Sequence, residues 1–228
     1  MQIARMRTAL ITQVRLRSTR LACKPLLPLP TYRTVIEEHL YRCRMVKGID
    51  VLVAAISDDA GGDIIAQHIA WMTGSVHGDQ AVKIIRGPEH DVLGRYLKAA
   101  EEVKADVIMR VTSDCPLIDP RVCEQVLEAR ADFDGYDYAC NNQPPTYPHG
   151  LDCEAFTIEA LRKADMFEKP ELREHVTEWM RTASEIKRYN LAQNGADQHA
   201  IRLTLDTYED YLVIWDEFNR RIRNGVAL

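Results

Sequence analysis

Residues 13–24 read QVRLRSTRLACK, with Arg15, Arg17, Arg20 and Lys24 supplying cations and Ser18 and Thr19 supplying hydroxyls. Guanidinium groups grip phosphate oxygens two at a time, and an ammonium adds a compact point charge. The segment can therefore wrap a triphosphate. It contains no glycine, so it is neither a P-loop nor a dinucleotide-binding loop. Solvated surface arginines are the competing account of the same residues. A second cluster, TSDCPLIDP at 112–120, closes an apolar run. Pro116 prevents immediate helix formation and leaves Asp114 at a strand end, where a carboxylate can coordinate Mg²⁺ together with substrate phosphates. Asp119, just before Pro120, reads instead as a helix N-cap. In IRLTLDTYEDY, 201–211, Asp206 ends another apolar stretch. It is either a second metal carboxylate facing Asp114 or part of the turn before a helix with a Thr207–Asp210 capping box.

Two further clusters are less decisive. In IRGPEHDVLGRY, 85–96, Arg86 leaves a strand and Asp91 precedes a helix that carries Arg95. Either arginine can read a base or a phosphate, while an ion-paired helix surface is the commoner fate of Arg95. HGLDCE (149–154) and REHVT (173–177) supply candidates for binding an acidic acceptor. Asp152 and Glu154 alternate on an expected strand and so share a face. Arg173 and Thr177 stand four apart on an expected helix, flanking His175, and present a cationic, hydroxyl-bearing face. A solvated helix surface is the alternative for Arg173 to His175.

These residues need a scaffold that collects strand ends. Continuous β-branched apolar runs at 8–14, 50–56, 82–86 and 105–112 read as strands buried on both faces. Helical periodicity separates them at 31–46, 61–74 and 91–104, and a further helix is expected from Asp119. The alternation predicts a three-layer α/β/α, Rossmann-like fold whose sheet is mixed and mostly parallel. Ligands in such sheets bind at the carboxyl ends of the strands, where the clusters fall. Beyond 136 the expected order is a strand at 136–141, a turn-rich loop at 143–150, a strand at 151–157 and helices at 157–167 and 171–183. Strands at 187–192 and 201–205 and a final helix after Asp206 complete it. We read residues 1–228 as one domain, with a small lobe at about 142–195 over the sheet edge.

The chain has 228 residues and a net charge of −5, which disfavours a general nucleic-acid binder. The charge is uneven: no acidic residue precedes Glu37, whereas seven cations lie in that stretch, from Arg5 to Arg33. A local basic cluster in an acidic protein suits a small polyanion. No apolar run reaches membrane-span length. The short N-terminal apolar stretch followed by Arg15 and Arg17 does not read as a cleaved signal. Six scattered cysteines without metal spacing read as reduced thiols of a cytoplasmic protein.

Taken together and in order, the five clusters resemble the cytidylyltransferases of the spore coat polysaccharide (SpsF-like) branch, related to the acylneuraminate and Kdo cytidylyltransferases. The resemblance runs from about residue 8 to about 215. The family's first loop, roughly QARMGSTRLPGK, is matched by Gln13, Arg15, Ser18, Thr19, Arg20, Leu21 and Lys24. SDCPLIDP, PPTYPHGLDCE, REHVT and LDTYED match the other family segments. The resemblance implies CTP as the nucleotide, Mg²⁺ held by Asp114 and Asp206, and a homodimer. It implies attack of a sugar hydroxyl on the α-phosphate with loss of pyrophosphate, assisted by Arg15, Arg20 and Lys24. The acceptor implied is a small acidic sugar of surface-glycan synthesis. CMP transfer to a non-sugar acid such as a phosphonate, or nucleotide binding without turnover, would use the same loop. Where the family has a glycine this chain has Arg17, and where it has Pro-Gly this chain has Ala22-Cys23. A positive φ at that place would strain Cys23.

Overall fold

A computed structural model of the protein describes residues 5–74, 81–132 and 135–225. Seven strands form one sheet in the order β3-β2-β1-β4-β6-β5-β7. The first four are β1 (Thr8–Val14), β2 (Val51–Ser57), β3 (Lys83–Gly87) and β4 (Val107–Thr112), all parallel to their neighbours among these four. Then come β5 (Tyr138–Cys140), β6 (Glu154–Thr157) and β7 (Arg188–Asn190). β6 is antiparallel to both β4 and β5, while β7 is parallel to β5. The mixed, mostly parallel sheet expected from the apolar runs is thus present, and the segment expected as a lobe contributes β6 and β7 to it.

The helices are α1 (Val35–Cys43), α2 (Ala60–Gly74), α3 (Val92–Glu102), α4 (Pro120–Ala131), α5 (Ile158–Phe167), α6 (Glu178–Thr182) and α7 (Tyr208–Arg223). Their starts follow from capping chemistry. Asp91 accepts from the Gly94 N–H at 2.9 Å, Asp119 accepts from the Arg121 N–H at 2.9 Å, and Thr207 with Asp210 forms a capping box.

Two apolar layers sandwich the sheet. Along β1 the side chains alternate: Ala9 and Ile11 join the layer under α3 and α5, whereas Leu10 and Val14 join the layer under α1, α2 and α4. A third cluster, including Leu205, Ile214 and Phe218, packs α7 over the segment that carries Asp206. The chain runs outward from β1 to β2 and β3, then returns to place β4 on the other side of β1. This is the topological switch point of the sheet, and it lies between the ends of β1 and β4.

Two expected elements differ. Residues 171–183 are not one helix. A 3₁₀ turn at Pro170–His175 is broken at Val176, with φ 62° and ψ −51°, before α6 begins. The Thr177 N–H donates to the His175 carbonyl at 2.6 Å, which closes a γ-turn around Val176. Residues 201–205 are not a ladder strand either. They run beside residues 149–150, bonded through His149 N–H to the Ile201 carbonyl at 2.9 Å and Leu203 N–H to the His149 carbonyl at 2.6 Å. The two segments meet at Gly150, with φ 111°, where an added Cβ would lie 2.5 Å from the Leu203 carbonyl carbon.

Candidate active site

The carboxyl ends of β1 and β4 open into a cavity of about 690 Å³, a size suited to a nucleotide-sized ligand. Its floor and rim are residues 13–20 and 22–24, which follow directly from β1. The loop ends in a 3₁₀ turn, Lys24–Leu26, anchored by buried Pro25. Cys23, just before this turn, is left-handed at φ 54°. This is the glycine place of the first loop, and the backbone requirement survives the change of residue.

Asp114 and Asp206 come together at the cavity wall. The Leu205 N–H donates to the Asp114 carbonyl at 2.8 Å, so the two backbones are tied directly. The Lys24 ammonium then donates to Asp114 Oδ2 at 3.0 Å, to Asp206 Oδ1 at 3.2 Å and to the Leu205 carbonyl at 3.0 Å. Arg20 reaches Asp206 Oδ1 at 2.9 Å, and Arg202 reaches Asp206 Oδ2 at 2.9 Å. Burial pushes the Asp114 carboxyl up, but the Lys24 charge and hydrogen bonds outweigh it and hold its pKa below the usual aspartate value. Asp114 is therefore ionised at neutral pH. Two carboxylates of this kind, with phosphate oxygens and water, form the hard oxygen donor set that Mg²⁺ takes. Among the described residues no group of three or more His, Cys, Asp or Glu side chains offers a fuller cage.

Below the pair lies His39 of α1, fully buried. Its Nδ1 is 3.1 Å from the Cys115 carbonyl, and its Nε2 is 3.0 Å from Thr12 Oγ1. A carbonyl only accepts, so Nδ1 carries the proton and Nε2 accepts from the threonine hydroxyl. Burial drives its pKa down from 6.5 to about 4. The neutral ring joins β1 to the residue after Asp114.

The opposite wall comes from the start of α3. Arg95 is buried rather than at the helix surface, and among the described residues its hydrogen bonds go to carbonyl groups rather than to a carboxylate. Its guanidinium makes long 3.4 Å contacts to the carbonyls of Ala55 and Glu89, and its buried Nε has no hydrogen-bond partner among the described residues. Gly87 allows this approach, since a Cβ there would lie 2.7 Å from Arg95 Cγ. Gln13 lines the same cavity, and its Oε1 is buried without a hydrogen-bond partner among the described residues. Both are buried polar atoms left unpaired, which costs stability.

The sequence candidates thus divide. Gln13, Arg15, Arg17, Ser18, Thr19, Arg20, Lys24, Arg95, Asp114 and Asp206 all line the cavity. Arg86 does not: it pairs with Asp63 at 2.6 Å. Neither do the five residues expected to hold the acceptor. Asp152 precedes β6 and accepts from His149 at 2.7 Å and from the Gly150 N–H at 2.9 Å. Glu154 is inaccessible, held by Arg110, Arg181, Tyr138 and Thr177. Burial raises its pKa, but Arg110 and Arg181 outweigh this and bring it down to about 2. Arg173 pairs with Asp91 and Asp165, His175 is exposed outside the cavity, and Thr177 is buried against Glu154. The break at Val176 is the reason that Arg173 and Thr177 share no helical face. The residue of this segment that does reach the cavity is Glu174, 2.8 Å from Arg15. Arg202, which clamps Asp206 and Asp210, was also not singled out. Its position four residues before Asp206 is the signal that could have found it.

Comparison with known proteins agrees with this geometry. Residues 9–218 match the sequence model of a family described as cytidylyltransferase. The spore coat polysaccharide biosynthesis protein SpsF of Bacillus subtilis (strain 168) is 32% identical over 207 residues, which is 88% of this chain and 82% of SpsF. A cytidylyltransferase structure from Leptospira borgpetersenii serovar Hardjo-bovis superposes with a TM-score of 0.83 at 26% identity, over 97% of this chain and 96% of the other. CMP:2-keto-3-deoxy-manno-octonic acid synthetase, in a structure with CTP, shares the fold at a TM-score of 0.68 and 17% identity, over 94% and 99% of the two chains.

Proposed function

The chain belongs to the cytidylyltransferase family and is a CTP-dependent nucleotidyltransferase, and from that premise we propose that it transfers CMP to an acidic, ulosonate-like sugar for surface-glycan synthesis. The observation that carries this is the convergence of Asp114 and Asp206 on one point, beside the cationic loop and within one cavity. Asp114 and Asp206 would hold Mg²⁺, which would supply neutralisation of the triphosphate charge. Arg15, Arg20 and Lys24 line the path of the triphosphate. The acceptor hydroxyl attacks the α-phosphorus and releases its proton to solvent, the bond from the α-phosphorus to the oxygen of the β-phosphate breaks, and pyrophosphate leaves with its charge met by these cations. Positioning and charge neutralisation suffice, since in-line transfer needs no covalent intermediate.

Gln13 and Arg95 line the cavity and bring an amide and a guanidinium to the nucleotide. Cytosine presents an amino donor and ring acceptors, which is the complementary pattern. The cations at the cavity mouth favour an acidic acceptor, and the fold shared with an octulosonate-activating synthetase supports the ulosonate class. The six free thiols suit the reducing cytoplasm. A homodimer belongs to the same proposal, and sedimentation velocity tests it directly.

The test is pyrophosphate release with CTP, Mg²⁺ and a panel of 3-deoxy-ulosonates, acylneuraminates and phosphonates. Release with CTP and one sugar acid is the expected result. Release only with a phosphonate, or none with any acceptor while CTP still raises the melting temperature, would overturn the acceptor assignment.

A further inference from the structure

We propose that Lys24 is the resident counter-ion of the Asp114–Asp206 pair and keeps divalent cations out of the nucleotide-free protein, so that metal enters only when a triphosphate draws the ammonium away. The proposal rests on the reading of these carboxylates as metal ligands.

An ammonium has three protons to give. In Lys24 all three are spent, on Asp114 Oδ2, Asp206 Oδ1 and the Leu205 carbonyl, at 3.0, 3.2 and 3.0 Å. The side chain is 13% exposed, so water screens these contacts little. The ammonium thus sits where a cation bridging both carboxylates must sit. The two occupants exclude each other by volume and by like charge. Nor can Lys24 serve phosphates from this position, because no donor is left over.

Competition is weighted towards lysine in the absence of nucleotide. Asp206 is already saturated, with Arg20 and Lys24 on Oδ1 and Arg202 on Oδ2. Two carboxylates alone are a poor cage for a hard cation that takes six oxygen ligands. A triphosphate changes both sides of the balance. Its oxygens complete the metal's ligand set, and its charge offers the ammonium a new partner in the same cavity. The backbone at Cys23–Leu26 is fixed by the 3₁₀ turn and buried Pro25. The exchange is therefore a rotation of the lysine side chain about its own bonds. Linkage makes the effect reciprocal: metal and nucleotide each strengthen the other's binding by the same factor.

The experiment measures Mn²⁺ binding to the full chain by electron paramagnetic resonance, without nucleotide. Wild type, Lys24→Met, Arg20→Met and Lys24→Met/Asp114→Asn are compared, and melting curves confirm that each is folded. Lys24→Met is expected to bind Mn²⁺ at least about tenfold more tightly than wild type, the scale of charged hydrogen bonds removed from competition. Arg20→Met removes the same charge from the neighbourhood but not from the bridging point, and is expected to change affinity less than about threefold. Equal affinity in wild type and Lys24→Met would overturn the proposal. An equal gain in Arg20→Met would also overturn it, since bulk charge would then explain the effect. Tight binding that survives in the double variant would place the metal elsewhere and refute the metal-ligand reading itself.

Discussion

Lowering the pH from 7.5 to 5.0 should destabilise this protein through His39, which joins β1 to the chain beside Asp114. Its pKa falls from 6.5 to about 4 on folding, because burial disfavours the charged ring. The unfolded chain therefore binds the proton more readily than the native one. The stability contributed is fully present above about pH 6.5 and is lost as the pH falls through about 4. The full shift is about 2.5 pKa units, equivalent to roughly 3 kcal/mol at 1.36 kcal/mol per unit. At pH 5.0 the unfolded imidazole is almost wholly protonated and the folded one almost wholly neutral, so roughly 2 kcal/mol has gone. Urea unfolding at the two pH values measures this, with His39→Gln as the reference that lacks the titration. Wild type should lose roughly 2 kcal/mol more than the variant over the interval. The same loss in both proteins would refute the assignment of a neutral, buried ring.

Two other perturbations test the frame of the site. Glu154→Gln leaves Arg110 and Arg181 without their shared carboxylate, and is expected to cost about 3–5 kcal/mol in urea unfolding; a loss below 1 kcal/mol would show that the cluster is well solvated. Cys23→Gly restores the residue suited to φ 54° and should stabilise the protein by about 1 kcal/mol, read as a higher urea midpoint at unchanged slope.

The legible part of this protein lay where local rules suffice. β1, β2 and β4 show continuous apolar runs, and α3, α4 and α7 begin at side chains that cap them. The loop at 13–24 and Asp114 were legible because they follow β1 and β4 directly, and Asp206 because it stands just before the capping box that opens α7. What escaped depends on partners remote in sequence. Val176 is β-branched and gives no warning of a γ-turn; the strain is offset by its complete burial and by the Thr177–Glu154 bond next to it. Glu154 has the alternation of a site residue, but its cations come from β4 and α6. Residues 201–205 have the pattern of a strand, yet their partners are an irregular turn at His149–Gly150 and the backbone of Asp114. Arg95 lies against carbonyl groups rather than a carboxylate, and no sequence spacing reports that.

In the proposed reaction Asp114 and Asp206 control transfer of the α-phosphate of CTP in the cavity at the carboxyl ends of β1 and β4. The most direct measurement follows CTP labelled at the α-phosphate, with Mg²⁺ and the acceptor identified by pyrophosphate release, in wild type and Asp114→Asn. Label is expected to appear in the CMP-linked acceptor with one pyrophosphate per transfer, and Asp114→Asn is expected to lower the rate at least about a hundredfold at an unchanged melting temperature. Label retained in CDP, which would mean transfer of the terminal phosphate instead, or full activity in Asp114→Asn, would contradict it.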